Sequence, residues 1–493
     1  MDEQLNTAVL VGCAVLLVAV LSVRVSSRTG LPVLLVYLAV GVAIGEGGLG
    51  IDFEDYALTA ELGLLALAVI LAEGGLTTRW AAVRPVLPFA GVLATLGVAL
   101  SIGVVAGTAA LLLGADARTA VILGSVVSST DAAAVFSVLR RLHLRERVRS
   151  ALEAESGLND APVVVIVLLA SSEAWGEEGL LHIALEIVAE LAVGGALGVA
   201  IGWLGGQLLA RAALGSAGLY PLATVGLALL AYTSANALHG SGFLAVYLAG
   251  LVLGNARLPH RRAVLGFAGS VALLAEAGLF VLLGLLASPD RLPDALLDAL
   301  VVGAAATFVA RPLAVAVSAL PFGWSWREQV FLSWAGLRGA VPIVVAIVSV
   351  TEGVEGATRV VDVVFVLVVV YTLIQAPTLP ALGRLLGLVD VSQPTDLDVE
   401  TAPLEQMGAD LLQLQVPPGS RMVGVYVPEL RLPVGAQVTL VVRDGSSLVP
   451  DRDTQLRAGD SLLVVTRSEV REAAEARLRA VARGGKLARW YSA

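Results

Sequence analysis

Cysteine is nearly missing from this chain. Of its 493 residues only Cys13 carries a thiol, so no intrachain disulfide can form and the redox compartment leaves no mark. Lysine is equally scarce, with Lys486 alone, and arginine carries the rest of the positive charge. Charged residues make up 15% of the chain and the net charge is -9, which argues against nucleic-acid binding. The four histidines, His143, His182, His239 and His260, are scattered without metal-ligand spacing. What fills the space is apolar: 57% of residues are hydrophobic and the mean hydropathy is +0.85. Those values exclude a soluble domain and predict a polytopic membrane protein.

Windows of about 20 apolar residues predict thirteen helical spans. They lie near 8–24, 31–45, 57–72, 86–113, 119–139, 150–171, 180–210, 218–238, 241–255, 263–287, 295–320, 327–350 and 359–388. The acidic start Met1-Asp2-Glu3 reads as the flank of a span and not as a cleaved signal. Alternate loops gather arginine (Arg24, Arg28, Arg79, Arg84, the run Arg140 to Arg149, Arg211, Arg257, Arg261, Arg262 and Arg327), whereas the opposite loops hold Glu46, Asp52, Glu54, Asp55, Glu173, Glu177 and Glu178. The positive-inside rule makes the arginine side cytoplasmic, with the N-terminus outside and the tail inside. The expected membrane domain covers residues 1–390.

Residues 391–403 are polar and punctuated by Pro394 and Pro403, as expected of a linker. Beyond them, 404–482 reads as a small α+β module, with strands at 411–416, 422–427, 437–442 and 461–466 and a charged helix at 469–481. Residues 483–493 are left as a short tail. At this size a regulatory or dimerising role fits better than an enzyme.

Two spans are poor helices at mid-membrane. The fifth contains Gly124-Ser125-Val126-Val127-Ser128-Ser129-Thr130-Asp131, whose small polar side chains compete for backbone hydrogen bonds. The twelfth contains Gly336-Leu337-Arg338-Gly339-Ala340-Val341-Pro342, where two glycines and a proline surround an arginine. If spans one to six and eight to thirteen are repeats joined by span seven, both breaks are fifth elements and the repeats are inverted. Interrupted segments at matching positions of inverted repeats point to a secondary transporter's binding site.

Charge at membrane depth completes the pattern, because an ionised side chain there costs at least about 2.5–3.5 kcal/mol. Span six carries Glu155-Ser156-Gly157-Leu158-Asn159-Asp160, span five carries Asp131, span twelve carries Arg338 and span eleven carries Arg311. Asp131 and Arg338 are expected to compensate half-helix ends, and Arg311 to pair with Glu155. Asp160 then lacks an arginine and can hold either a proton or a desolvated monovalent cation. Oxygens of Thr130, Ser156 and Glu155 suit a hard cation's shell.

Taken together, Thr130-Asp131, the hexapeptide 155–160 and Gly336-Leu337-Arg338-Gly339-Ala340 resemble the cation/proton antiporters of the NhaP type, relatives of the animal sodium/proton exchangers, over roughly residues 5–390. The resemblance implies an all-α membrane fold of thirteen helices in two inverted repeats, a homodimer and an elevator-like alternating-access movement. It implies that Asp160 binds the cation, helped by Thr130, Ser156 and Glu155, with Asn159 also at the cation/proton site. Asn159, in place of a second aspartate, resembles the electroneutral branch, which exchanges one cation per proton. Ala72-Glu73-Gly74-Gly75-Leu76 also looks like a family motif, usually with Phe where Ala72 stands, and would make Glu73 a secondary charge near the ion path. The tail, through Val441-Val442-Arg443-Asp444-Gly445 and Leu456 to Val465, resembles a TrkA-C domain, which favours potassium and suggests a small regulatory ligand such as a nucleotide. No cofactor is implied; the ions moved would be K+ or Na+ and H+.

Two other functions fit a polytopic chain with buried carboxylates. A potassium channel would need a Thr-Val-Gly-Tyr-Gly-like filter, which the sequence lacks. An intramembrane aspartyl protease would use Asp131 and Asp160 as a dyad, which the two buried arginines and oxygen-rich surroundings disfavour.

Overall fold

The computed structural model describes residues 32–131, 134–135, 144–389, 399–443 and 446–488, apart from 49, 51–52, 173–174, 177–178, 213 and 405–408, together with Cys13 and Leu17. The first expected span lies outside the described residues except for those two positions, as do Arg140, Arg141 and His143. The chain divides into two compact units, Met1–Val389 and Asp390–Ala493.

The first unit is helical throughout: α1 (Val33–Ile44), α2 (Tyr56–Thr77), α3 (Leu87–Leu112), α4 (Ala117–Ser128), α5 (Glu146–Ser171), α6 (Leu180–Arg211), α7 (Leu219–Ala237), α8 (Gly242–Asn255), α9 (Arg261–Leu286), α10 (Leu292–Phe322), α11 (Trp326–Trp334), α12 (Ala340–Thr351) and α13 (Ala357–Leu385). Among the described residues α2, α3, α5, α6, α9, α10 and α13 are long and apolar enough to cross a membrane. The apolar helices α1, α4, α8 and α12 are shorter. Polar caps mark where chains enter helices: Asp55 accepts from the Leu58 amide, Asp116 from those of Arg118 and Thr119, and Ser325 with Glu328 forms a capping box.

Two positions depart from regular helix in a matched way. Residues Leu93–Gly97 of α3 and Ala306–Ala310 of α10 are π-helical turns, and each packs against the other helix. They occupy expected spans four and eleven, seven apart, as the inverted-repeat reading requires. In α10 the widened turn precedes Arg311-Pro312. Proline removes an amide and crowds the carbonyl four residues earlier, and a π-turn absorbs that mismatch.

The fifth and twelfth spans are interrupted, at sites narrower than the sequence suggests. Helix α4 runs on through Ser128, because the Ser125 and Ser128 hydroxyls bond back to the carbonyls of Val121 and Gly124 and leave the helix intact. Among the described residues the break takes in Ser129, Thr130 and Asp131. In span twelve Ala335 to Gly339 separate α11 from α12. As 12-residue helices, α4 and α12 reach about 18 Å each, little more than half of a bilayer core of roughly 30 Å. Neither is therefore long enough to cross such a core by itself.

The second unit is a five-stranded antiparallel sheet in the order β1-β2-β5-β3-β4, with α14 (Arg471–Gly484) supplying apolar residues to its core. The strands are β1 (Val399–Leu404), β2 (Ala409–Gln415), β3 (Ala436–Arg443), β4 (Ser446–Leu448) and β5 (Ser461–Arg467). Strand β1 begins inside the stretch read as linker. Met422–Val427, expected as a strand, is instead a turn leading into a 3-10 helix, because Gly424 takes φ +86° and only Tyr426 bridges to Gln455.

Candidate ion site

The crossing of the two breaks organises the centre of the helical unit. The Asp131 amide donates to the Leu337 carbonyl at 2.8 Å, so one interrupted chain hydrogen-bonds the other. Arg338 donates from Nε to the Val127 carbonyl at 2.9 Å, placing its charge at the negative C-terminal end of α4. Asp131 accepts from the Ala134 amide at 3.2 Å and packs on Gly339, the residue that opens α12. A Cβ at Gly339 would lie 1.8 Å from the Asp131 carboxylate, so only glycine permits this approach. Asp131 thereby meets the positive N-terminal end of α12. The π-turn of α10 joins in, since the Thr307 hydroxyl accepts from Arg338 at 3.4 Å.

Helix α5 presents the hexapeptide beside this crossing. Glu155, 2% exposed, makes a two-point pair with Arg311 in which one guanidinium nitrogen lies 2.8 Å from Oε2. Arg311 also donates to the Leu332 carbonyl at 3.2 Å. Asn159 is fully buried and donates from its amide nitrogen to the Thr130 hydroxyl at 2.7 Å. An ionised aspartate there could only accept, so the amide sets which way this bond runs. Asp160, 4% exposed, accepts from the Ser129 hydroxyl at 2.6 Å. Among the described residues it forms no ion pair.

A cavity of about 390 Å³ reaches Asp160, and Thr130, Asp131 and Ser156 also line it. Glu73 and Glu276 line it as well, and so do Thr77, Thr78, Arg149 and Glu153 toward the ends of α2 and α5 near Arg79 and Arg145. Glu155 and Asn159, expected among the cation's neighbours, do not line it. The first is held by Arg311 and the second by Thr130. Gly157 lets α5 close on α8: a Cβ there would lie 2.3 Å from the Tyr247 ring.

Ser129, Tyr247 and Glu276 are cavity or site residues that sequence reasoning passed over. For Glu276 a signal was present, because it is the only charged residue of α9 after Arg261 and Arg262. Ser129 and Tyr247 carried none, as their relevance depends on contacts between distant helices.

The transmembrane sodium/hydrogen exchanger family matches residues 14–385. The chain belongs to that family. Residues 411–479 match the TrkA-C domain. A K(+)/H(+) antiporter NhaP2 from Shewanella sp. (strain ANA-3) is 36% identical over 481 residues, covering 96% of this chain and 83% of that protein. A K(+)/H(+) antiporter NhaP from Alkalimonas amylolytica is 36% identical over 472 residues, covering 94% and 82%. The solved sodium proton antiporter MjNhaP1 from Methanocaldococcus jannaschii superposes with a TM-score of 0.67 at 21% identity, covering 78% of this chain and all of that one, which supports a common fold. The protein is a multi-span cation/proton antiporter with a TrkA-C domain, and a transporter, not an enzyme.

Proposed function

We propose that this antiporter exchanges K+ for H+ one for one at Asp160, in the inner membrane of the cell. The observation that carries the reading is Asp160 itself: a buried carboxylate on a cavity wall, free of any ion pair among the described residues and hydrogen-bonded by a neutral serine. A single such carboxylate can release its proton to take a cation and release the cation to take a proton, so each excludes the other. Thr130 and Ser156 offer oxygen in the same cavity, and Glu73 is a secondary charge along its lining. Asn159 adds no second titrating group, which favours electroneutral exchange. Glu155 with Arg311, and Asp131 with Arg338, hold the framework. Potassium is preferred over sodium because the relatives that cover nearly the whole chain carry K(+)/H(+) names and a TrkA-C domain follows the helices.

In this reading the cavity faces the cytoplasm, since it opens on the arginine-bearing side, and the N-terminus lies outside with the tail inside. The uncovered apolar surface of α6, with Leu181, Leu185, Trp203 and Leu208 exposed, suits a homodimer contact. Everted vesicles carrying a pH dye test the proposal: adding K+ alkalinises the wild-type lumen, and D160N shows no response to K+, Na+ or Li+. Full exchange in D160N would overturn it. The tail is read as a regulatory unit for a small ligand such as a nucleotide. Vesicles whose protein lacks residues 403–493 are expected to keep exchanging with an altered dependence on pH or nucleotide; an unaltered dependence would refute that role.

A further inference from the structure

Helices α10, α11 and α13 enclose a groove that shares no lining residue with the cavity of Asp160. It measures about 820 Å³ and runs from Ala316, Trp326 and Leu385 at one end to Thr307, Trp334 and Thr378 at the other. Every residue that lines it is uncharged. The nine residues of α11 that flank it, Trp326–Trp334, rise about 12 Å, close to the roughly 15 Å of one leaflet of a bilayer core. Phe308, Trp326 and Leu385 in its lining are 62%, 64% and 83% exposed, so the groove opens sideways where the bilayer would lie.

The two ends of the groove differ in chemistry. Its deep end abuts the second break: the Thr307 hydroxyl accepts from Arg338, the Trp334 indole donates to the Thr378 hydroxyl at 2.8 Å, and the Phe308 ring lies 6.0 Å from that of Trp334. An occupant seated there touches the π-turn of α10 and the last residue of α11 at once. The other end carries two arginines that form no ion pair among the described residues. The Arg327 guanidinium lies 5.6 Å from the centre of the Trp326 ring on the rim, and Arg384, next to Leu385, donates to the Pro380 carbonyl of its own helix. Glu328, beside Arg327 in sequence, is buried and accepts from Ser325.

We infer that this groove holds an acyl chain of an anionic phospholipid whose phosphate meets Arg327 and Arg384. An uncharged slot about one leaflet deep matches the chain, and the cationic rim matches the phosphate. The orientation proposed above puts that rim in the cytoplasmic leaflet, where anionic lipids gather and basic pockets between helices bind their headgroups. Charge disfavours the other apolar occupants. The expected first span, 8–24, lies outside the described residues; it has no acidic residue and ends on Arg24, which would add a third cation to the rim. A second copy of the chain meeting this face symmetrically would set the same arginines against each other. A seated acyl chain braces the second break and with it Arg338, so exchange responds to the lipid whichever carboxylate carries the ions.

Brominated lipids, which quench tryptophan on contact, test the site in the full-length protein reconstituted in phosphatidylcholine vesicles. Brominated phosphatidylglycerol is expected to quench the wild type at about tenfold lower mole fraction than brominated phosphatidylcholine, as two arginines near the surface allow. Trp326 and Trp334 are two of seven tryptophans, so W326F/W334F should lose this excess quenching. R327Q/R384Q should bring the two lipids level, and A381F, which fills the groove, should do the same. Adding unbrominated phosphatidylglycerol should raise cation/proton exchange about fivefold in wild type and less than about twofold in R327Q/R384Q. The membrane's surface potential acts alike on both proteins and cannot produce that difference. Equal quenching of the wild type by the two lipids means annular contact only and overturns the inference. A preference that survives R327Q/R384Q overturns it too, and if that variant fails to reach the membrane, a preference that survives A381F does so. Excess quenching that W326F/W334F retains, or no quenching at all, puts another occupant in the groove and likewise overturns it. Preferential binding without any change in exchange refutes the link to the break.

Discussion

Removing one member of the Glu155–Arg311 pair should damage the protein more than removing both. Both side chains are buried, at 2% and 7% exposure, and they face each other through two guanidinium nitrogens and both carboxylate oxygens. E155M leaves Arg311 charged with only the Leu332 carbonyl as a remaining acceptor, and an uncompensated buried charge costs about 3–5 kcal/mol. The double variant E155M/R311M removes both charges and keeps two flexible apolar stems in the same space. It leaves the Leu332 carbonyl short of one donor, a loss of about 1 kcal/mol. At about 2 °C per kcal/mol, E155M should lower the thermal midpoint of the purified protein by about 6–10 °C and the double variant by about 2 °C. Melting followed by size-exclusion fluorescence reads the first quantity, and vesicle exchange reads the second. Because Glu155 does not line the cavity, the double variant should keep exchange within about threefold of wild type. A double variant that folds stably yet exchanges nothing would refute this assignment and put Glu155 in the transport step itself.

Two further outcomes follow from close packing. G157A places a methyl group 2.3 Å from the rigid, buried Tyr247 ring, so α5 and α8 must separate; exchange should fall at least about tenfold, and G157A/Y247L should recover part of it. In the second unit, burial pushes the Asp460 carboxyl up, but the bidentate Arg443 bonds at 2.8 Å and the Arg457 amide at 2.7 Å outweigh it and hold the group below the usual range. A lowered folded value means that its stabilisation is complete above the unfolded value of about 3.9 and is lost as pH falls through the folded value. R443M should therefore speed hydrogen exchange in β5 about tenfold at neutral pH, with the gap to wild type closing in acid; a gap independent of pH would contradict this.

Much of the membrane unit was legible because the bilayer imposes a simple rule. A chain with no water to satisfy its backbone must run as helices about 20 residues long, so hydropathy windows located the spans that fall in the described residues to within a few positions. The breaks were legible too, since glycine, proline and an arginine crowd one of them. Their extent was less so: serines that look like helix breakers satisfied themselves on i-4 carbonyls, and α4 continued to Ser128. In the tail, where patterns are short, the apolar run Met422–Val427 imitated a strand because its buried Met422 and Val425 fill the core from a turn.

The candidate site divides along the same line. Sequence alone set Asp160, Glu155, Asp131, Arg311 and Arg338 within apolar runs long enough to span a bilayer, since that depends only on their positions along the chain. Which carboxylate is neutralised and which faces open space was decided by tertiary structure. Glu155 and Asp160 are five residues apart on one helix, and only the packing of α10 and of the fifth-span break sets one against Arg311 and the other against Ser129 and the cavity. The same holds for Glu276, an isolated charge in the sequence. It shares a cavity with Asp160 because helices far apart along the chain pack together, and spacing along one chain carries no information about that distance.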